Sequence, residues 1–195
     1  MAVQTSNPDQ GSPGPPFFGP DAHYKDWVSQ LDSLPTKRAT VREAAPTDAD
    51  ARRMWDLQAA CVPLVPQVSS ENLSAITSKL VLIAEVDDVH VGFCIAFIKE
   101  VSSAPIFIQA VAVAPQAQQR GVGLELLLAV AGRAPERDIA MATQDTNVPA
   151  RTLNERFAEA LNSEIKRVTL GTYADADLAI RRGQGYRSWR IQRPG

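Results

Sequence analysis

Residues 111–123, Val111-Ala-Val-Ala-Pro-Gln-Ala-Gln-Gln-Arg-Gly-Val-Gly123, carry residue types at a spacing that chemistry could use. An apolar run breaks at Pro115, crosses a short polar loop and enters a second apolar run, Leu124 to Leu128, through two glycines. Gly121 and Gly123 lack a Cβ, so the chain can turn sharply there and a ligand can come close to the backbone. A helix starting at this point leaves its first N–H groups without intrahelical partners, and its dipole puts partial positive charge at that end. Arg120 adds a full charge beside them. Together these features describe a phosphate cradle fed by a strand. A dinucleotide fingerprint is disfavoured, because Leu126 stands where a third Gly or Ala is needed. A nucleotide-binding P-loop is ruled out by the lack of Gly-Lys-Ser/Thr.

The other reactive side chains are scattered. Cys61 and Cys94 have apolar neighbours and neither a C-x-x-C nor a His spacing, which describes buried reduced thiols and no zinc site. His23 and His90 are isolated and receive no catalytic role, while Trp27 and Trp55 read as core. A net charge of −2 gives no electrostatic case for a nucleic acid or an anionic membrane partner. With 45% hydrophobic and 22% charged residues the composition is that of a globular protein, and 195 residues suit one well-buried domain. The start of the chain lacks a basic and apolar leader, and no apolar run approaches the ~20 residues of a membrane span, so a cytoplasmic location is expected.

The elements that must position the loop follow from periodicity. Residues 1–20, rich in Pro and Gly, read as a disordered arm in which Phe17 and Phe18 could anchor. Residues 21–36 form a helical extension, with Tyr24, Trp27, Val28 and Leu31 on one face and a stop at Leu34-Pro35. Residues 37–195 then form one domain. Thr40 to Ala44 predicts a strand, and Thr47 caps a helix carrying Met54, Leu57, Gln58 and Cys61. Pro63 and Pro66 enclose an irregular piece before a helix from Ser69 with Leu73, Ile76 and Leu80 inward. Leu80–Val86 and Val89–Lys99 form a hairpin turning at Asp87-Asp88, with Gly92 a bulge or packing point. Ile106–Val113 is a strand buried on both faces. Leu124, Leu127, Leu128 and Ala131 give one face of the next helix, and Asp138–Thr143 a strand. Pro149 opens a helix with Ala150, Leu153, Phe157 and Leu161 inward. Val168–Leu170 is a strand candidate, Asp175–Arg182 one or two turns of helix, and Tyr186–Gln192 the last strand. The result is an α/β sheet of mixed direction.

In this order, and in the motif Gln118-Gln119-Arg120-Gly121-Val122-Gly123, the sequence resembles the GNAT superfamily of N-acetyltransferases, whose acyl-CoA signature is Arg/Gln-x-x-Gly-x-Gly/Ala. The resemblance runs from about Thr40 to Arg193. It implies an α/β fold with a mixed, mostly antiparallel sheet of six to seven strands, splayed at the centre and flanked by helices. It also implies acetyl-CoA, or another short acyl-CoA, as cosubstrate without a metal. The fourth and fifth strands would part, with the pantetheine arm bonded to the backbone of Val111 and Val113. The Val111 amide would serve the thioester oxygen. Gln118, Gln119, Arg120, Gly121, Val122 and Gly123 would bind the pyrophosphate, and Asn147 the pantetheine arm.

The family's thiolate-protonating tyrosine usually lies seven residues after that asparagine. This position is Asn154, which cannot act as an acid and is grouped with the cofactor-binding residues. Tyr173 or Tyr186 could replace it, or could be ordinary half-buried rings. Ala179-Ile-Arg-Arg-Gly-Gln-Gly-Tyr186 also resembles the family's helix-to-last-strand signature, which points to an insertion in the C-terminal third. No motif fixes the general base: Glu85 and Glu100 are candidates, with Asp145 behind them, and solvated strand carboxylates are the plainer reading. Three functions remain from the sequence: an N-acetyltransferase acting on a primary amine, an acyl-CoA-binding regulatory module, or a scaffold whose loop holds another phosphate. The acceptor would be a small molecule or peptide amine between residues 48–60, 69–79 and the loop near Tyr173. A homodimer is possible.

Overall fold

Asp87 and Asp88 take φ of 49° and 65°, the left-handed pair that a two-residue hairpin turn needs, and this sets the first strand register. The structure, a computed structural model, describes residues 21–62 and 64–193. The expectations for residues 1–20, including Phe17 and Phe18, and for Pro63 lie outside the described residues. Strands β1 (Thr40–Glu43), β2 (Leu80–Val86), β3 (Val89–Ile98), β4 (Ile106–Val113), β5 (Ile139–Gln144), β6 (Glu164–Val168) and β7 (Tyr186–Gln192) form one sheet. Its order is β1-β2-β3-β4-β5-β7-β6. Every neighbouring pair is antiparallel except β4 and β5. This is the mixed, mostly antiparallel α/β architecture expected from the sequence.

The helices are α1 (Ala22–Asp32), α2 (Asp48–Ala60), α3 (Ser69–Ser78), α4 (Val122–Ala131) and α5 (Val148–Ala160). Short polar side chains start three of them: Asp21 accepts from the Tyr24 N–H, Thr47 from Asp50 and Asn147 from Ala150. Alternation along β3 divides the two faces of the sheet. Gly92 faces α4, and Ile95 faces the cluster of Ala51, Met54 and Ile76 on α2 and α3. Phe97 shares the Ile95 side and meets Phe107, Tyr173 and Leu178 there. One face therefore carries α4 and α5, and the other carries α2, α3 and the long β6–β7 connection.

Gly92 is both a packing point and the edge of a bulge: Ala84 pairs with Gly92 but Glu85 pairs with His90, so the bulge at Val91 begins beside it, and a Cβ there would lie 2.8 Å from the Ala112 carbonyl oxygen and 3.2 Å from Leu126. Three expectations are corrected. α4 buries Val122, Gly123, Leu126, Leu127, Val130 and Ala131, while Leu128 is exposed. The helix is apolar at nearly every position, so periodicity could not define its inner face. The sixth strand is Glu164–Val168 rather than Val168–Leu170, because an edge strand in which only Ile165 and Val168 are half-buried hides its apolar signal. Residues 175–182 form no helix: Ala179 is left-handed at φ 52° and the Ile180 N–H closes a single turn onto the Asp175 carbonyl.

Helix α1 is seated through a buried polar contact. The Trp27 indole stacks on His90 at 4.7 Å between centroids and its Nε1–H donates to the His90 carbonyl at 2.9 Å. Behind it, fully buried Asp56 meets His90 Nε2 at 3.1 Å and Arg52 Nε at 2.9 Å. Burial lowers the His90 pKa from its ordinary 6.5, against the opposing pull of Asp56.

Two measurements follow from this packing. Gly92→Ala should lower stability to urea by about 1–3 kcal/mol, as added volume in a filled core does. The folded state holds His90 neutral, so the unfolded chain binds more protons once pH falls below about 6.5. Stability should drop as pH falls from there through the lowered folded pKa, and His90→Asn should flatten that drop in denaturation curves taken at pH 5 to 7.

Candidate active site

The register of β4 shifts where Ile95 pairs with Ala110 but Ala96 pairs with Ile108, which leaves Gln109 as an extra residue. A bulge of this kind bends its strand and ends regular pairing. The ladder from β4 to β5 accordingly holds only Ile106–Ile139, Phe107–Ala140 and Ile108–Met141. From Gln109 onward the two strands part. The Ala114 N–H bonds back to Val91 on β3, so the alternation of strand groups turns Val113, and likewise Val111, toward the gap. The Val113 carbonyl accepts there from Gln118 Nε2 at 3.1 Å and from the Cys61 thiol at 3.3 Å. Burial pushes that thiol up to about 11.

β4 runs into a single 3₁₀ turn, Pro115–Ala117, then the glycine loop. Gln119 and Gly121 both take positive φ, 61° and 85°, and no side chain caps α4. A Cβ on Gly121 would meet nothing within 4 Å, so that glycine answers to backbone shape and leaves the helix end open. Gly123 differs: a Cβ there would lie 3.1 Å from Leu153 of α5, and its role is to let two helices approach. Val122 is buried and can offer a ligand only its backbone. Arg120 is exposed and bonds the Pro35 carbonyl at 3.0 Å. Two further bonds join the segment before β1 to this region: Gln116 to Asp32 at 2.9 Å and Arg38 to Glu125 at 2.6 Å.

At the head of α5 the Asn147 side-chain oxygen is used as the helix cap, at 3.1 Å from the Ala150 N–H. Asn154 donates to Thr143 on β5 at 2.9 Å and so fixes the helix against the strand. Beside it Arg151, Asn154, Glu155, Ile165 and Trp189 line a small crevice.

The structure brings Val111, Val113 and residues 118–123 together, with Asn147 and Asn154 on the adjacent helix. The catalytic candidates are more dispersed. Tyr173 lies in the β6–β7 connection and packs edge-on against Phe107 at 5.5 Å, and burial raises its hydroxyl pKa above the ordinary 10.0. Tyr186 opens β7 opposite Gln144. Glu85 is on β2, two strands from β4, and both its oxygens are bonded by Arg42, at 3.0 and 2.8 Å. Glu100 is exposed and follows the closed end of β3. Asp145 is paired with Arg187 at 2.9 Å.

The sequence reading passed over a polar group at the parting itself. Gln109 Oε1 accepts from Lys79 Nζ at 2.7 Å, and its Nε2 donates to the carbonyls of Asp177 at 2.8 Å and Ala176 at 3.3 Å. The Asp177 carboxylate pairs with Lys99 at 2.7 Å. The available signal was Gln109 itself, the one polar residue of Ile106–Val113. Among the described residues no cluster of three His, Cys, Asp or Glu side chains could hold a metal ion. No helix among them is long and apolar enough to cross a membrane.

Known structures share this architecture. The diaminobutyrate acetyltransferase of Paenibacillus lautus, solved with L-2,4-diaminobutyric acid and coenzyme A, is 18% identical over 80% of this chain and 96% of its own, with a TM-score of 0.61. The ribosomal-protein-S18-alanine N-acetyltransferase of Escherichia coli is 14% identical over 81% and 97%, with a TM-score of 0.58. A Bacillus subtilis acetyltransferase in complex with CoA is 14% identical over 80% and 99%, with a TM-score of 0.54. At these identities the likeness establishes the fold. None of the curated proteins matches the chain. The sequence pattern of the acetyltransferase (GNAT) family matches residues 50–180, and the chain belongs to that family.

Proposed function

We propose that this protein transfers an acetyl group from acetyl-CoA to a primary amine by direct attack. The observation that carries the reading is the parting of β4 from β5, with Val111 and Val113 turned into the gap beside a glycine loop whose helix end has no side-chain cap. Membership of the family and CoA in its structural relatives support the same cosubstrate. The residues present suit it. N–H groups from Gln118 to Gly123, with the α4 dipole, would hold the diphosphate. The gap-facing groups of Val111 and Val113 would hold the pantetheine amides, with Asn147 and Asn154 flanking.

Acetyl-CoA supplies an activated thioester, and the protein's part is placement and charge. The acceptor nitrogen bonds to the carbonyl carbon, the carbon–sulfur bond breaks, and the sulfur leaves with the electron pair. An N–H of Val111 aimed at the carbonyl oxygen, where negative charge develops, can contribute about 3 kcal/mol. An alkylamine of pKa about 10.4 must first lose a proton, and a carboxylate acting alone or through water usually accepts it. Glu85 is tied to Arg42 and Glu100 follows the closed end of β3, so either would have to act through bridging water. Of the two tyrosines, Tyr186 stands opposite Gln144 beyond the parting and Tyr173 packs on Phe107, two residues before the bulge; we assign the return of a proton to sulfur to Tyr173. Its raised pKa keeps the hydroxyl protonated across the neutral range.

Asn154, standing where the family usually carries tyrosine and already bonded to Thr143, favours a second reading: a module that binds acyl-CoA and regulates a partner. Calorimetry with CoA and acetyl-CoA-dependent thiol release over a panel of amines separate the two. The transferase reading requires both binding and turnover. Binding without turnover on any amine supports the regulatory module, and absence of CoA binding removes both.

Tyr173→Phe should reduce kcat at least tenfold while leaving CoA affinity unchanged. It should also remove an alkaline decline of kcat that the wild type shows above about pH 10, checked by a pH–rate profile. Gly121→Val forces a β-branched residue into φ 85° and should weaken CoA binding in the same calorimeter.

A further inference from the structure

Lys79 is the half-buried cation at the apex of the parted strands. It follows α3 at the start of β2, and it shares with Val81 the sheet face opposite α4 and α5. Its ammonium reaches across β3 to Gln109, the first residue past the last β4–β5 pair. The amide orientation of Gln109 is fixed by its neighbours: Nε2 must face the carbonyls of Ala176 and Asp177, so Oε1 faces Lys79. Lys79 is thus bonded to a neutral acceptor, and among the described residues it makes no ion pair. The nearby cation Lys99 differs, since Asp177 already neutralises it. A shallow groove on α3, open to solvent and lined by Ser70, Glu71, Ser74, Ala75 and Ser78, includes Lys79 in its wall. Its carboxylate, Glu71, makes no bond to the ammonium.

A cation held at a reaction centre without a counter-charge is a place for an anion to bind. Acetyl-CoA approaches along the α4 and α5 face, where the glycine loop lies. The acceptor enters from the other face, between α3 and the β6–β7 connection, where Lys79 and Gln109 sit. We infer that Lys79 binds a carboxylate of the acceptor, so that the amine substrate is an amino acid or a similar amine bearing a carboxylate, rather than a polyamine or aminoglycoside. Gln109 acts as the positioning residue. It holds the ammonium against the bulge and ties it to the β6–β7 wall, and its neutral oxygen can be exchanged for the substrate's charged one. This assignment rests on the transferase reading above.

The test measures acetyl-CoA-dependent thiol release with amino acids, each beside the carboxamide of the same skeleton, at rates referred to the concentration of neutral amine. Wild-type protein should favour carboxylates at least tenfold in kcat/KM, a difference of about 1.4 kcal/mol. Lys79→Met should abolish that preference through the acceptor KM, read as the ratio of carboxylate to carboxamide kcat/KM within the same variant. Lys79→Arg should restore the preference. Gln109→Ala should weaken it while thermal melting confirms the fold. Turnover with no difference between carboxylates and carboxamides, or a preference that survives in Lys79→Met, overturns the inference and leaves the transferase reading intact. CoA binding without turnover of any amine overturns both.

Discussion

One surplus residue in a strand governs the site. If β3 and β4 kept register between Ile95 and Ala96, β4 would continue alongside β5 and the polar backbone of Val111 and Val113 would be consumed by the ladder. The bulge at Gln109 ends that pairing after three residue pairs and so converts main-chain groups from structure to binding. Exposed strand edges are ordinarily a hazard. Here the edge lies between packed layers, and it is partly satisfied by Gln118 and the Cys61 thiol. Those two bonds are replaceable, which a ladder bond is not.

The layers on either side keep the gap from closing. On one face Gly92 and Gly123 let α4 settle close to β3 and α5, a fit that any Cβ would disturb. On the other, Phe107, Leu178 and Tyr173 fasten the β6–β7 connection to the sheet just before the strands part. Under Trp27 of α1 the buried Asp56 carboxylate is shared between neutral His90 and Arg52. A buried charge pair such as Asp56–Arg52 contributes little net stability, but it tolerates few alternative arrangements.

Much of this was legible in advance, for physical reasons that differ by element. The hairpin at Asp87-Asp88, the cap at Thr47, the helix start at Pro149 and the last strand all depend on local chemistry, and local chemistry is written in short windows of sequence. The glycine loop was legible for the same reason. The inner face of α4 was not, since a helix apolar all round leaves orientation to tertiary packing. β6 was misplaced because the burial pattern of an edge strand comes from its neighbours. The Lys79–Gln109–Asp177 group joins three segments distant in the chain and needed the register shift to bring it together. Glu85 shows the converse: its residue type fitted a base, and only the structure revealed Arg42 on both its oxygens.

The bonds from Asp32, Pro35 and Arg38 to the glycine loop and α4 give the leading segment a bearing on the far side of the sheet. Each is a surface contact and weak alone. Their common anchor is not weak, because Trp27 and Leu31 are almost wholly enclosed. A chain begun at Thr40 would keep every strand yet strip an aromatic seat from β3 and cut three moorings of the loop at once. Any comparison of such a shortened protein with the intact one would then measure the stiffness of the loop as much as the loss of the helix.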